Sequence, residues 1–303
     1  MKRELLKQEL AKELMSLHIG EQVPTIRQYS DKFKSSVGTI QSVIAEFEEC
    51  GAVHIERRGW MGTFLQNRNV RQLWSIARNG NPLVIAFPLP STRICEGLAT
   101  GVKELLSQNQ IEAFLIFLRG SRNRLQALRQ MRCHAIVVSG FTADEMCGPK
   151  EGQVLDLPEK TYVQEHRVFY VSGVFESQKK PLRVAVDRSS TDIQRLTELE
   201  FEGQNVEFIP TTYMLYAQML NHHEVDAAIW ETGETAGRFG SEIHSRPLSE
   251  RVLNKIDNRN TRACFVNSKS DKITEIVLRE CLDLSGLLNI QRAVVRGDQV
   301  PEY

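Results

Sequence analysis

No two of the six cysteines in this chain stand in a C-x2-C pair, and no Cys/His set has zinc spacing. A structural zinc site is therefore not expected, and the scattered Cys50, Cys95, Cys133, Cys147, Cys264 and Cys281 read as reduced, mostly buried thiols. Cys133-His134 and His222-His223 are adjacent only in sequence. Neighbouring side chains point apart on a strand or a helix, so neither pair is a ready-made site. No apolar run approaches the roughly 20 residues of a membrane span, so no membrane partner is expected. The start, MKRELLKQEL, alternates charge with leucine and lacks the apolar centre of an export signal, which makes the cytoplasm the expected compartment. A P-loop, a nucleophile elbow and a metal cluster are all missing. Net charge is missing too, since 38 Lys+Arg balance 38 Asp+Glu. The balance is not even along the chain. Residues 1–80 hold 12 Lys+Arg against 9 Asp+Glu, hence +3, and the remainder carries −3. That tilt permits a polyanionic partner without requiring one.

What is present begins with a leucine stripe. Leu6, Leu10, Leu14 and Leu17 recur at helical spacing over residues 3–17. Thr25 with Gln28 three places on predicts a capping box, and a short second helix runs from Ile26 to Phe33. Lys34-Ser35 reads as a tight turn, and Ser36 as the N-cap of a third helix with Ile40, Val43, Ile44 and Phe47 on its apolar side. Gly51 ends it. Two strands, AVHIE and GTFL, then flank RRGWM. A two-stranded ribbon tipped with Arg57 and Arg58, directly behind a helix-turn-helix, is a wing. The third helix starts with small uncharged side chains (Ser36, Gly38, Thr39, Gln41, Ser42) and keeps Glu46, Glu48 and Glu49 at its far end. A recognition helix enters the major groove by its N-terminal end, which must be slim and free of carboxylates. Arg27, Lys32, Lys34, Arg57 and Arg58 surround it as phosphate-attracting groups. A helical bundle that serves only to dimerise is the bland alternative, and it leaves the basic wing tip unexplained.

VPTIRQYSDKFKSSVGTIQSVIAEFEECGAVHIERRGWMGTFL, Val23 to Leu65, resembles the winged helix of GntR-type bacterial regulators through Pro24, Arg27, Phe33, Ser36, Thr39, Ile40, Phe47, Gly51, Gly62, Thr63 and Phe64. The resemblance implies contacts to double-stranded DNA from Arg27, Ser36, Thr39 and the wing around Gly62. Val37 and Gln41 stand where that family has two arginines. Gln41 can read adenine, whereas Val37 has no donor. Gly38 costs roughly 1 kcal/mol against alanine in a helix. GntR-type proteins pair on DNA, so a homodimer is expected. The chain also resembles the small, regulator-like YhfZ family.

Residues 67–80 read as a linker between a domain at 1–66 and another at 81–303. Val70, Leu73, Trp74 and Ile76 within it suggest a docking helix, a dimer contact or packing on the next domain. From Pro82 a strand-helix-strand-helix-strand pattern occurs twice, PLVIAFPLPST to CHAIVVSG and PLRVAVDRSST to VDAAIWETG. Alternation of this kind predicts parallel sheets, here in two lobes. Ligands of such sheets bind beyond the carboxyl ends of the strands. Those ends carry Ser91 and Thr92, Arg119, Ser121 and Arg122, Ser139, Ser189, Ser190 and Thr191, Thr212, and Glu231. Each hydroxyl taken singly reads as a helix cap. Convergence of six strand ends, with Arg119 and Arg122 among them, points to an anion-binding cleft. Trp230 reads as core.

The arrangement resembles the two-lobed type II periplasmic-binding-protein fold over about residues 82–303, and RACFVNSKSDKITEIVLRECLDL resembles its return strand and the long helix that closes the first lobe. The expected architecture is α/β, a winged helix-turn-helix followed by this two-lobed domain. The expected function is a ligand-responsive DNA-binding transcriptional regulator, not an enzyme. It senses a small anionic metabolite with Ser91, Thr92, Arg119, Arg122, Ser139, Ser189, Ser190, Thr212 and Glu231, and binds DNA with Arg27, Lys34, Ser36, Thr39, Gln41, Arg57, Arg58 and Gly62. No cofactor is expected. Two other readings stand beside it: a small-molecule-binding protein whose winged helix has lost specific DNA recognition, and a clamshell-fold enzyme.

Overall fold

The computed structural model describes residues 2–175, 180–233 and 237–303. The chain divides into two compact units, one made of residues 1–83, 105–114 and 270–282, the other of 84–104, 115–269 and 283–303.

The first unit opens with α1 (Arg3–Ser16), whose leucine stripe is buried at Leu6, Leu10 and Leu14. β1 (Gln22–Val23) leads into α2 (Ile26–Phe33), where Thr25 and Gln28 cap each other's backbone. Lys34 takes the left-handed conformation that turns the chain into α3 (Val37–Glu49). Ser36 caps α3 by accepting from Thr39 N at 3.2 Å, and Ile40, Val43, Ile44 and Phe47 are buried. β2 (Val53–Arg57) and β3 (Thr63–Arg68) pair antiparallel, and β1 adds to the far edge of β3. The expected two-stranded ribbon is present, and β1 extends it to a three-stranded sheet; two residues of β1 are too few to give a period. α4 (Val70–Ala77) follows at once, capped by Asn69, and buries Leu73, Trp74 and Ala77. It packs on α1 and on α11 (Lys272–Cys281).

Two five-stranded sheets make up the lobes. The chain runs through β4 (Leu83–Phe87), α5 (Arg93–Gln108), β5 (Ala113–Phe117), α6 (Ser121–Arg129), β6 (Ala135–Ser139), α7 (Gly140–Met146) and β7 (Glu151–Asp156). It then crosses to β8 (His166–Val171), β9 (Leu182–Val186), α8 (Thr191–Glu200), β10 (Val206–Pro210), α9 (Tyr216–Asn221), β11 (Ala227–Glu231), β12 (Ile243–Pro247) and α10 (Glu250–Ile256). β13 (Ala263–Ser268) returns to the first lobe, ahead of α11 and of α12 (Leu284–Arg296). The strand orders are β5-β4-β6-β13-β7 and β10-β9-β11-β8-β12. The first lobe pairs β4 with β6 in parallel, and β9 with β10 and β11 does the same in the second.

Both sheets are mixed, which corrects the expectation of parallel sheets. β13 runs antiparallel to β6 and β7, and β8 antiparallel to β11 and β12. The return strand lies where the resemblance placed it. The helix after it does not: α11 packs on α1 and α4, and it is α12 that lies on α5. There Gln291 donates to the carbonyls of Ile94 and Thr161 at 2.9 and 2.8 Å.

Each lobe's apolar strand runs are explained by burial on both faces. In the second, Ala227 and Ile229 pack with Leu196, Leu199 and Val252, while Ala228 and Trp230 pack with Ile193, Tyr216 and Leu220. Among the described residues no helix is long and apolar enough to cross a membrane.

Candidate functional sites

In the first unit the N-terminal end of α3 is open to solvent. Ser36, Val37, Gly38 and Gln41 are exposed and Thr39 is half-buried, its hydroxyl 2.7 Å from that of Ser36. Arg27 and Lys34 flank it, exposed and without an ion pair among the described residues. Two of the far-end glutamates, Glu46 and Glu48, have internal partners, a reason beyond avoidance of phosphate. Glu46 holds Arg3 and Lys7 of α1, the latter at 2.8 Å. Glu48 receives Arg57 fork to fork at 3.1 and 2.6 Å. Arg58 donates twice to Glu56, at 2.9 and 2.7 Å, and lies over the Phe64 ring. Both wing arginines are thus held by carboxylates. Gly62 closes the wing tip at φ +102°, and a β-carbon there would strike Gln22. Between them Trp60 is 95% exposed, which makes the tip apolar as well as basic.

In the second unit a cavity with about 600 Å³ of non-protein space, part of it open to solvent, lies between the two sheets. Helix starts surround it. Thr92 caps α5 by accepting from Cys95 N at 3.3 Å, Ser190 caps α8 through Ile193 N at 3.4 Å, and Ser121 and Arg124 come from the first turn of α6. Helix starts offer partial positive charge and unpaired N–H groups.

Arg124 is the cation of the wall. It is 2% exposed, and its guanidinium donates to the Val137 carbonyl (2.9 Å), the Leu118 carbonyl (2.8 Å) and the Tyr162 hydroxyl (2.9 Å). Among the described residues no carboxylate pairs with it. A guanidinium has five N–H donors, and three hydrogen bonds are made here among the described residues. Two carboxylates share the wall. Asp192, in the first turn of α8, accepts from the Ser139 hydroxyl at 2.6 Å, and burial pushes its carboxyl up to about 6 although Ser139 and Arg124 oppose the shift. Glu231, at the end of β11, accepts from Ser91 at 2.9 Å, and burial raises it above the ordinary carboxylate range. His166 accepts at Nδ1 from the Asn260 amide at 2.8 Å; burial holds the ring down to about 4, so it is neutral at pH 7. Burial likewise pushes Cys95 and Tyr213 up to about 12, which leaves the one an inert thiol and the other a neutral phenol.

Of the residues expected in the cleft, Ser91, Thr92, Ser190 and Glu231 line the cavity together with Trp230, which is also core. Ser139, Ser189, Thr212, Arg119 and Arg122 do not. Ser139 is buried as the cap of α7, Ser189 donates to Asp187 at 2.6 Å, and Thr212 caps the turn at Tyr213–Leu215. Arg119 and Arg122 bridge the lobes, to Asp187 at 3.0 Å and Gln194 at 3.1 Å. The arginine that lines the cavity is instead Arg124. Its position was legible: Ser121, Arg124, Leu125 and Leu128 share the buried stripe of α6, where an arginine is out of place. Asp192 sits likewise on the stripe of Leu196 and Leu199. Tyr162 and His166 fall in a stretch with no repeated pattern.

The lobes touch around the cavity. Ser121 Oγ accepts from Thr191 N at 2.9 Å, and Arg122 N donates to the Ser189 carbonyl at 3.2 Å. Gly120, at φ +80°, makes this approach possible: a β-carbon there would lie 2.6–2.8 Å from Ser189.

The profile of the YhfZ C-terminal domain matches residues 69–303, and that of a helix-turn-helix domain residues 18–65. The chain is 30% identical over 312 residues to YhfZ of Escherichia coli (strain K12), covering all of both. It is similar to the crystal structure of YhfZ from Shigella flexneri, with 30% identity, a TM-score of 0.63, and 78% of this chain and 98% of that one covered. It is also similar to the periplasmic aliphatic sulphonate binding protein SsuA of Escherichia coli, with 13% identity, a TM-score of 0.51, and 72% and 75% coverage. The last likeness is one of fold, the two-lobed periplasmic-binding-protein architecture.

Proposed function

Because the chain belongs to the YhfZ family, with a helix-turn-helix ahead of a two-lobed binding-protein fold, we propose that it is a ligand-responsive DNA-binding transcriptional regulator. Its winged helix, GntR-like in motif, reads double-stranded DNA, and the cavity of the second unit senses a small metabolite with an anionic group. The observation that carries the ligand half is Arg124, buried in the cavity wall without a carboxylate partner among the described residues. A buried charge is costly unless compensated, and an anion in the cavity supplies the compensation. The DNA half is supported by the carboxylate-free front of α3 between Arg27 and Lys34. A single winged helix with so few free cations binds weakly, so the protein acts as a homodimer on a pseudo-palindromic site. The functional division is a DNA-binding domain at 1–66, a connector at 67–80 and a sensor domain at 81–303.

A binding protein without specific DNA recognition is the second reading, favoured by one observation. Val37, 43% exposed at the front of α3, brings no donor to a base edge. A gel shift with DNA from upstream of the protein's own gene separates the two. A discrete complex that survives excess competitor DNA supports the regulator. Binding abolished equally by any competitor refutes specific recognition.

A further inference from the structure

We propose that the cavity is built for a zwitterion, an amino-acid-like metabolite whose carboxylate meets Arg124 and the helix starts and whose ammonium group meets Glu231. The inference rests on the reading of this cavity as the sensor site and adds the second charge.

Arg124 and Glu231 line the same cavity without neutralising each other. Among the described residues no ion pair joins them, and what Glu231 accepts is the neutral Ser91 hydroxyl, through Oε1. Both charges nevertheless act on the same three side chains, Cys95, Tyr162 and Tyr213, with opposite sign. Asp192 adds a second carboxylate, committed through Oδ1 to Ser139. A purely anionic ligand would be attracted by Arg124 and repelled by two carboxylates. A purely cationic one would be repelled by the buried guanidinium. A ligand with both charges satisfies the wall at both ends. In the same wall, Leu89, Ile193 and Trp230 supply apolar surface for a short carbon skeleton. Glu231 belongs to one lobe and its partner Ser91 to the other, so an ammonium group here also joins the lobe contact.

The test uses the full chain and two matched sets of small molecules. The first is the α-amino acids in both configurations with β- and γ-amino acids; the second is their amine-free carboxylic acids. Binding is read by thermal shift and then by calorimetry. At about a hundredfold saturation a true ligand raises the midpoint on the order of 5–10 °C. The expected result is that an amino acid binds and its amine-free counterpart binds at least tenfold more weakly. Glu231→Gln should weaken that amino acid by about 10- to 150-fold, the range for a charge-assisted hydrogen bond, and leave the amine-free acid unchanged or tighter. Ser91→Ala, which keeps the carboxylate, should retain the preference. Equal binding of the two sets, or an unaffected Glu231→Gln variant, overturns the zwitterion while the anion-sensing reading stands. Binding of neither set overturns both.

Discussion

Removing a negative charge from the wing's support should strengthen DNA binding. Glu48 holds Arg57 through two hydrogen bonds of 3.1 and 2.6 Å, so a phosphate must compete with a carboxylate for that guanidinium. Glu48→Gln removes the competitor and a repulsive charge together. An exposed ion pair contributes about 0–1 kcal/mol, and with the Arg57 side chain 63% exposed the lower half of that range applies. The gain from release is therefore up to about twofold, and loss of repulsion adds to it at low salt. A newly made phosphate contact steepens the dependence of log K on log salt by about 0.9. Arg27→Ala with Lys34→Ala should flatten that slope by about 1.8, because among the described residues no carboxylate holds either side chain beforehand. Fluorescence anisotropy of a labelled duplex at several KCl concentrations measures all three proteins. If Glu48→Gln leaves affinity and slope unchanged while Arg57→Ala weakens binding, the carboxylate does not mask the wing. If the Arg27/Lys34 variant keeps its slope, the front of α3 is not at the DNA backbone.

Three further outcomes follow from particular contacts. His166 is held down to about 4 from 6.5, so the unfolded chain takes up its proton first, and this residue's contribution is lost as pH falls from about 6.5 towards 4. Asp192 is raised from 3.8 to about 6, so its contribution falls as pH rises through that window. Each amounts to about 3 kcal/mol, and they oppose; chemical denaturation between pH 4 and 6.5 should show Asp192→Asn losing stability on acidification faster than the parent and His166→Gln more slowly, and parallel profiles contradict both assignments. Gly120→Ala should push the lobes apart, since its β-carbon meets Ser189 at 2.6–2.8 Å; a cost of about 1–3 kcal/mol is expected, and an unchanged small-angle scattering profile would show that the contact yields instead. Ser36→Ala removes the cap of α3 and should cost about 1 kcal/mol of stability, read as a lower melting temperature; an unchanged midpoint means that the Thr39 amide finds another acceptor.

The helices of the first unit were legible to the residue at Thr25, Phe33 and Ser36, because caps and turns are local chemistry. So was the doubled strand-helix pattern, because strands buried on both faces write continuous apolar runs. β1, β7, β8 and β12 were not read: they are short, or they belong to pairings set by distant partners such as β13 and β11. The site divided along the same line. Ser91, Thr92, Ser190 and Glu231 stand where a strand end alone predicts them. Arg119 and Arg122 looked like a clamp because sequence shows charge but not direction, and in the fold they reach across to Asp187 and Gln194. Arg124 drew no reading from the sequence, although it shares the buried stripe of Leu125 and Leu128.

The central claim is that occupancy of the cavity changes DNA binding. The direct measurement is the affinity of the full chain for DNA from upstream of its gene, by anisotropy, with and without the small molecule that native mass spectrometry finds retained on the purified protein. A change of about 5- to 150-fold, the usual range for coupled sites, lost in Glu231→Gln or Arg124→Lys, is the predicted result. Identical affinity in the presence and absence of a saturating ligand would contradict the account.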